Sequence, residues 1–165
     1  MSTELTAGAK AIQVRALIEK KWQESIVKCL PRHVTPERML RVINNALGKN
    51  TKLLDCSQQS LIGAIVVASE LGLEPNTPLG LGWIIPYKNE AQFQIGYRGL
   101  IELATRTGKV QNIIAHTVHD QDEFSYSLGL CPDLKHTPAL GERGESVGYY
   151  AVVFMKDGPP AFCYM

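Results

Sequence analysis

Apolar residues recur at helical spacing through the first part of the chain and at strand spacing through the second. From Ala9 to Leu30 they fall at Val14, Ile18, Trp22, Ile26 and Leu30, with Lys20, Lys21 and Lys28 on other faces, which predicts an amphipathic helix behind a flexible arm over residues 1–8. Thr35-Pro36-Glu37 reads as N-cap, first-turn proline and first-turn acid, and Met39, Leu40, Val42, Ile43, Ala46 and Leu47 follow at helical spacing until Gly48. A third helix is expected after Ser57 as its cap, with Leu61, Ala64, Ile65, Ala68 and Leu71 as its stripe and Gly72 as its stop.

Beyond Gly72 the period changes. Leu81–Tyr87 and Gln92–Tyr97 are short β-prone runs joined by Lys88-Asn89-Glu90-Ala91, a predicted hairpin. Arg98–Thr107 returns to helical spacing and stops at Gly108. Further strands are expected at Val110–Val118, Glu123–Ser127, Val147–Met155 and Ala161–Tyr164. Residues 128–146 carry glycines, two prolines and mixed charge, and read as one long loop. The order predicts an α+β fold: N-terminal helices, then a β-β-α-β-β core with a further strand, its mostly antiparallel sheet packed on a helix, as one domain over residues 9–165. The chain ends at Met165 just after a strand, where a domain would be expected to continue, so a truncated chain is expected.

Composition narrows the class. With 165 residues and 45% hydrophobic positions the chain is long and apolar enough for a real core and unlike a disordered polymer. The net charge of +1 hides an asymmetry: residues 1–60 hold ten Lys and Arg against five Asp and Glu, and the rest hold seven against eleven. Such a chain can present a basic face to a polyanion or stack head to tail with its own copies. The four cysteines, Cys29, Cys56, Cys131 and Cys163, are too widely spaced for a metal knuckle or redox pair, so no cofactor is expected. The N-terminus has no apolar signal core and no run approaches the roughly 20 residues of a membrane span, which predicts a cytoplasmic protein without a membrane partner.

The stretch richest in chemistry is WIIPYKNEAQFQIGYRGLIELATRTG, Trp83 to Gly108. A hairpin bearing Tyr87, Lys88, Gln92 and Gln94 leads into Gly96-Tyr97-Arg98-Gly99 at a helix start. Small residues admit another backbone, free N–H groups at a helix N-terminus favour phosphate, Arg98 adds a fixed charge, and Tyr97 can stack on a base or sugar. Arg106 and Lys109, about two turns on, would reach another phosphate of the same strand, which implies a groove. Glycines here also serve an ordinary tight strand-to-helix joint, and both readings stand at this point.

The segment SQQSLIGAIVVASELGLEPNTPLGLGWIIPYKNEAQFQIGYRGLIELATRTGKV, followed by HTVHDQDEF and VGYYAVVF, resembles the core of the RecT family of phage single-strand annealing proteins, over roughly residues 35 to 165. The resemblance implies ATP-independent binding of single-stranded DNA, annealing through a duplex intermediate, homo-oligomers in rings or helical filaments, a partner exonuclease, and a phage or prophage origin. It also implies contacts to the sugar-phosphate backbone that leave bases free. The DNA-binding candidates are Lys52, Tyr87, Lys88, Gln92, Gln94, Tyr97, Arg98, Gly99, Arg106 and Lys109, with no catalytic or metal residue.

Two other readings compete. His116, His119, Asp120, Asp122 and Glu123 offer the ligand atoms of a metal-dependent nuclease, although alternation in a strand places the two histidines on opposite faces. A structural module assembling through its charge asymmetry is the other. Trp22 and Trp83 are expected as core or interface anchors, with Trp83 buried beside Ile84 and Ile85, Asn76-Thr77-Pro78 as a simple turn, and Cys131 and His136 as loop residues without a role.

Overall fold

The helical stripe begins where the spacing places it. A computed structural model describes residues 7–21 and 26–165, and two compact units, residues 1–103 and 104–165, divide the chain. In the first, α1 (Ala7–Lys21) buries Val14 and Ile18, and Ile26 continues the stripe with no exposure. A short segment, α2 (Val27–Cys29), ends before Leu30, whose ψ of 131° is extended. Pro31 accounts for this, because its ring clashes with a helical residue in front of it. Trp22 lies outside the described residues.

Pro36 opens α3 (Pro36–Lys49), which buries Met39, Ile43, Ala46 and Leu47. Thr35 has the extended backbone of an N-cap, but its side chain makes no capping hydrogen bond, and the helix runs through Gly48 to Lys49. A 3-10 helix over Thr51–Asp55, not signalled by the periodicity, buries Leu53. Ser57 does cap α4 (Gln58–Leu71), its hydroxyl oxygen accepting from the Ser60 N–H at 3.2 Å, and Gly72 closes that helix at a left-handed φ of 62°.

Against these helices lies a two-stranded antiparallel hairpin, β1 (Gly82–Tyr87) and β2 (Glu90–Ile95), in register from Gly82 opposite Ile95 to Tyr87 opposite Glu90. The connection is only Lys88-Asn89, two residues shorter than the spacing suggested. Ile84 and Ala91 enter the same core as Ile18, Ile43, Leu53, Leu61 and Ile65. Beside β1, the Asn76 side chain donates to the Ile84 carbonyl at 3.2 Å and accepts from the Ile84 N–H at 2.9 Å, occupying an edge that would otherwise be open.

Helix α5 (Tyr97–Arg106) follows β2 after Gly96 and leads to the second unit. There β3 (Val110–His119), β6 (Ser146–Met155) and β7 (Ala161–Tyr164) form one antiparallel sheet in the order β3-β6-β7. The segment expected as a loop over 128–146 contains a strand, β5 (Asp133–Thr137), paired with β4 (Glu123–Ser127) in a separate ribbon. Asp133-Leu134-Lys135-His136-Thr137 holds a single apolar residue, so no strand alternation stands out in it, and the partner strand supplies what local propensity does not. Phe124 joins ribbon and sheet, its ring stacked 5.7 Å from Tyr150 and 5.1 Å from Tyr164. The fold class is α+β, with the strands divided among three antiparallel sheets instead of the single sheet expected.

Candidate nucleic-acid interface

Alternation along the hairpin sorts its side chains. Ile84 points into the core, so Trp83 and Tyr87 point outward on β1, with Gln94 directly opposite Trp83 and Gln92 opposite Ile85 on β2. Tyr87, Gln92 and Gln94, predicted from sequence, thus share one exposed face. Lys88 caps the tip at a φ of 54°, the left-handed region that a side chain rarely adopts, and its ammonium lies 5.7 Å from the Tyr87 ring centroid. Two hydrogen bonds pin the tip to α4: the Ser57 N–H donates to the Asn89 carbonyl at 2.8 Å, and the Ala91 N–H donates to the Ser60 hydroxyl at 2.9 Å.

Trp83 departs from expectation. It is not a core anchor: 39% of its surface is exposed. The indole rests instead on glycine backbone. A Cβ at Gly96 would lie 2.6 and 2.9 Å from two carbons of its six-membered ring and nearer still to the Gly80 carbonyl oxygen. Gly96 has no left-handed φ to explain it, so the close ring and carbonyl are what leave no room for a side chain. The aliphatic part of Arg98 passes the same spot, with its Cδ 3.6 Å from a Cβ built on Gly80. Arg98 Nε donates to the Tyr97 hydroxyl at 3.0 Å, and its guanidinium carbon is 5.8 Å from the Tyr97 ring centroid.

Lys52 is exposed on the 3-10 helix just ahead of the α4 cap that receives the hairpin tip. Gly99 is buried, and a Cβ there would collide with the Leu81 carbonyl oxygen, so its role is to seat α5 against the chain leading into β1. Arg106, in the last turn of α5, and Lys109 are exposed and belong to the second unit. Among the described residues Lys52, Lys88, Arg98 and Lys109 have no carboxylate partner, in contrast to Lys10, which meets Asp55 at 2.7 Å, and Arg38, which donates to Glu74 at 3.2 Å.

In the second unit, one member of the acidic and histidine cluster, Asp122, is committed to internal bonding. Asp122, with no side-chain exposure, accepts from Arg143 Nε at 3.0 Å, from the Ala139 and His119 backbone N–H groups at 2.9 Å each, and lies 3.0 Å from His136 Nε2. The Arg143 bonds hold its carboxyl well below the usual carboxylate range, against the opposing effect of burial and with help from Ala139, His136 and His119. His136 Nδ1 is 3.0 Å from the Tyr150 hydroxyl, whose ionisation burial pushes up. His136 therefore ties the β4–β5 ribbon to the sheet. The register shift between Val118 and His119 falls on β6, where Val147 is left without a partner, while His116 to His119 pair in unbroken succession along β3. Among the described residues no three His, Cys, Asp or Glu side chains are grouped so as to hold a metal ion. Sequence reading missed the Asp122–Arg143 pair, and the local pattern carries no signal of it.

Comparison with known proteins adds an independent line. The profile of the RecT family matches residues 37–165. The chain is 40% identical over 148 residues to Protein RecT of Escherichia coli (strain K12), covering 85% of this chain and 55% of that protein. It is 44% identical over 99 residues to the uncharacterized protein YqaK of Bacillus subtilis (strain 168), covering 60% of this chain and 34% of that protein. The chain therefore spans about half the length, or less, of these curated relatives. Among the described residues no helix is long and apolar enough to cross a membrane. The family profile covers the hairpin, the glycine-seated tryptophan and the Arg98 helix in one match, and the chain belongs to the RecT family.

Proposed function

We propose that this chain binds single-stranded DNA and anneals it to a complementary strand without ATP, through the outward face of the β1–β2 hairpin and the start of α5. The observation that carries the reading is the grouping on one exposed surface of three aromatic rings, Trp83, Tyr87 and Tyr97, with two cations lacking a carboxylate partner, Lys88 and Arg98, and two amides, Gln92 and Gln94. Cations take phosphates, rings take base or sugar faces, and amides take either polar group, so the surface is suited to any sequence. Watson–Crick edges stay open to a second strand. Lys52 adds a cation on the first unit, Arg106 and Lys109 are DNA contacts of the second unit in this reading, and Gly99 serves by seating the helix.

In this reading the protein works as a homo-oligomer, ring or helical filament, in the bacterial cytoplasm with a phage or prophage origin, on strands prepared by a partner exonuclease, and uses no hydrolytic chemistry. The test is annealing of two complementary labelled oligonucleotides without nucleotide cofactor, beside binding to preformed duplex. Annealing above the spontaneous rate with weak duplex binding supports the reading; no acceleration rejects it. Arg98→Ala should lower affinity for all sequences alike and reduce the salt dependence by roughly 0.7 decades per decade of salt for the one phosphate lost. Cleavage of the oligonucleotide in magnesium or manganese would favour the nuclease alternative.

A further inference from the structure

We infer that Trp83 is a fixed stacking platform for one nucleobase of the bound strand, with Arg98 holding the adjacent phosphate. This rests on the single-strand reading and names a residue that the sequence reading assigned to the core. Tryptophan carries a large apolar surface, and leaving 39% of it open at an outward strand position forfeits burial that a core site would supply. The ring is nonetheless not loose. The far edge of its six-membered part lies against Gly96, close enough that a methyl group there would overlap it, and an added methyl at Gly80 would just reach the same edge. A ring whose edge is seated on glycine main chain is held in one plane, so little ordering remains to be lost when a base stacks on it. Gln94 stands directly across the hairpin, within reach of the polar edge of whatever lies on the ring.

The cation belongs to the same construction. The Arg98 chain passes Gly80 beside the indole, and its Nε is turned to the Tyr97 hydroxyl, which leaves the terminal nitrogens of the guanidinium for an anion. A ring for the base and a fork for the phosphate, side by side on a rigid seat, make one nucleotide subsite. Stacking covers a base's face and not its pairing edge, so the subsite is compatible with annealing.

Trp22→Phe leaves Trp83 as the sole tryptophan, because the chain has two. Emission of this variant and anisotropy of labelled oligo(dT) are followed in one titration, with an abasic chain of equal length as the second arm. The inference expects saturable quenching by oligo(dT) in step with anisotropy, and weaker binding without quenching by the abasic chain. Trp83→Phe should keep most of the affinity, and Trp83→Leu should lose roughly ten- to hundred-fold, equally at low and high salt. Rising anisotropy with unmoved emission overturns the platform and leaves the single-strand reading standing. A Trp83→Leu variant whose salt dependence falls with its affinity also overturns it, since the ring would then only position Arg98. No anisotropy change with any single strand removes both readings.

Discussion

Arg143 and Asp122, separated by 21 residues, meet through two hydrogen bonds, Nε to Oδ1 at 3.0 Å and Nη2 to Oδ2 at 2.5 Å. Arg143 Nη2 also donates to the Thr117 carbonyl at 3.1 Å, so one guanidinium joins the segment after β5 to both β3 and the β3–β4 turn. The second unit has few buried apolar side chains, Val118 and Tyr150 among them, so this polar knot and the rings around Phe124 hold its sheet and ribbon together.

Removing the charge should therefore unfold this unit first. Asp122→Asn keeps the shape and leaves Arg143 without its counter-charge, and it should lower the thermal midpoint more than any substitution at the exposed Lys135–Asp133 pair, which should leave it unchanged. The pH dependence has a definite sign. The folded carboxyl is depressed, so the unfolded chain takes up the proton first, and the stabilisation is complete above the ordinary carboxylate value of about 4 and lost progressively below it. Urea melts at pH 7, 5 and 3 should show wild type and Asp122→Asn converging only at the acid end; a constant difference would contradict the assignment.

Two glycines in helices should respond in opposite directions. Gly63 in α4 has open space where a Cβ would stand, so Gly63→Ala should stabilise by about 0.5–1 kcal/mol. At Gly99 the new methyl group meets the Leu81 carbonyl oxygen, and Gly99→Ala should cost about 1–3 kcal/mol despite the better helix former. Denaturant melts of the two variants check the pair, and equal effects would reject the close packing of α5.

Lys88 separates stability from binding. Its left-handed φ of 54° is unfavourable for any side chain and ordinary for glycine. Relief of roughly 1–2 kcal/mol set against the added freedom of the unfolded chain should leave Lys88→Gly within about 1 kcal/mol of wild type or more stable. Single-strand affinity should fall all the same. A variant that binds as well as wild type would mean the tip carries no contact.

Thiol reactivity reports the burial pattern. Cys131 and Cys163 are exposed, while Cys56 is buried and its thiol is pushed up by that burial and by Asp55. The thiolate is the reacting species, so a disulfide reagent near pH 8 should label Cys131 and Cys163 promptly and Cys56 only on unfolding. Prompt labelling of Cys56 would place it outside the core.

The sequence by itself determined what depends on near neighbours. The α3 and α4 stripes, the Ser57 cap, the Gly72 stop, the hairpin and the strands at Glu123–Ser127 and Ala161–Tyr164 were legible, because spacing and capping act within a few residues. That Tyr87, Gln92 and Gln94 ride on one hairpin was legible too, but their common face waited on the register set by the two-residue turn. Tertiary structure decided what depends on a distant partner. β5 exists because β4 lies beside it, Asp122 is spoken for because Arg143 returns to it, and the outward Trp83 ring has a fixed seat because Gly96, on another segment, meets its edge. A residue's period states which side it faces; only the closed chain states what, if anything, waits on that side.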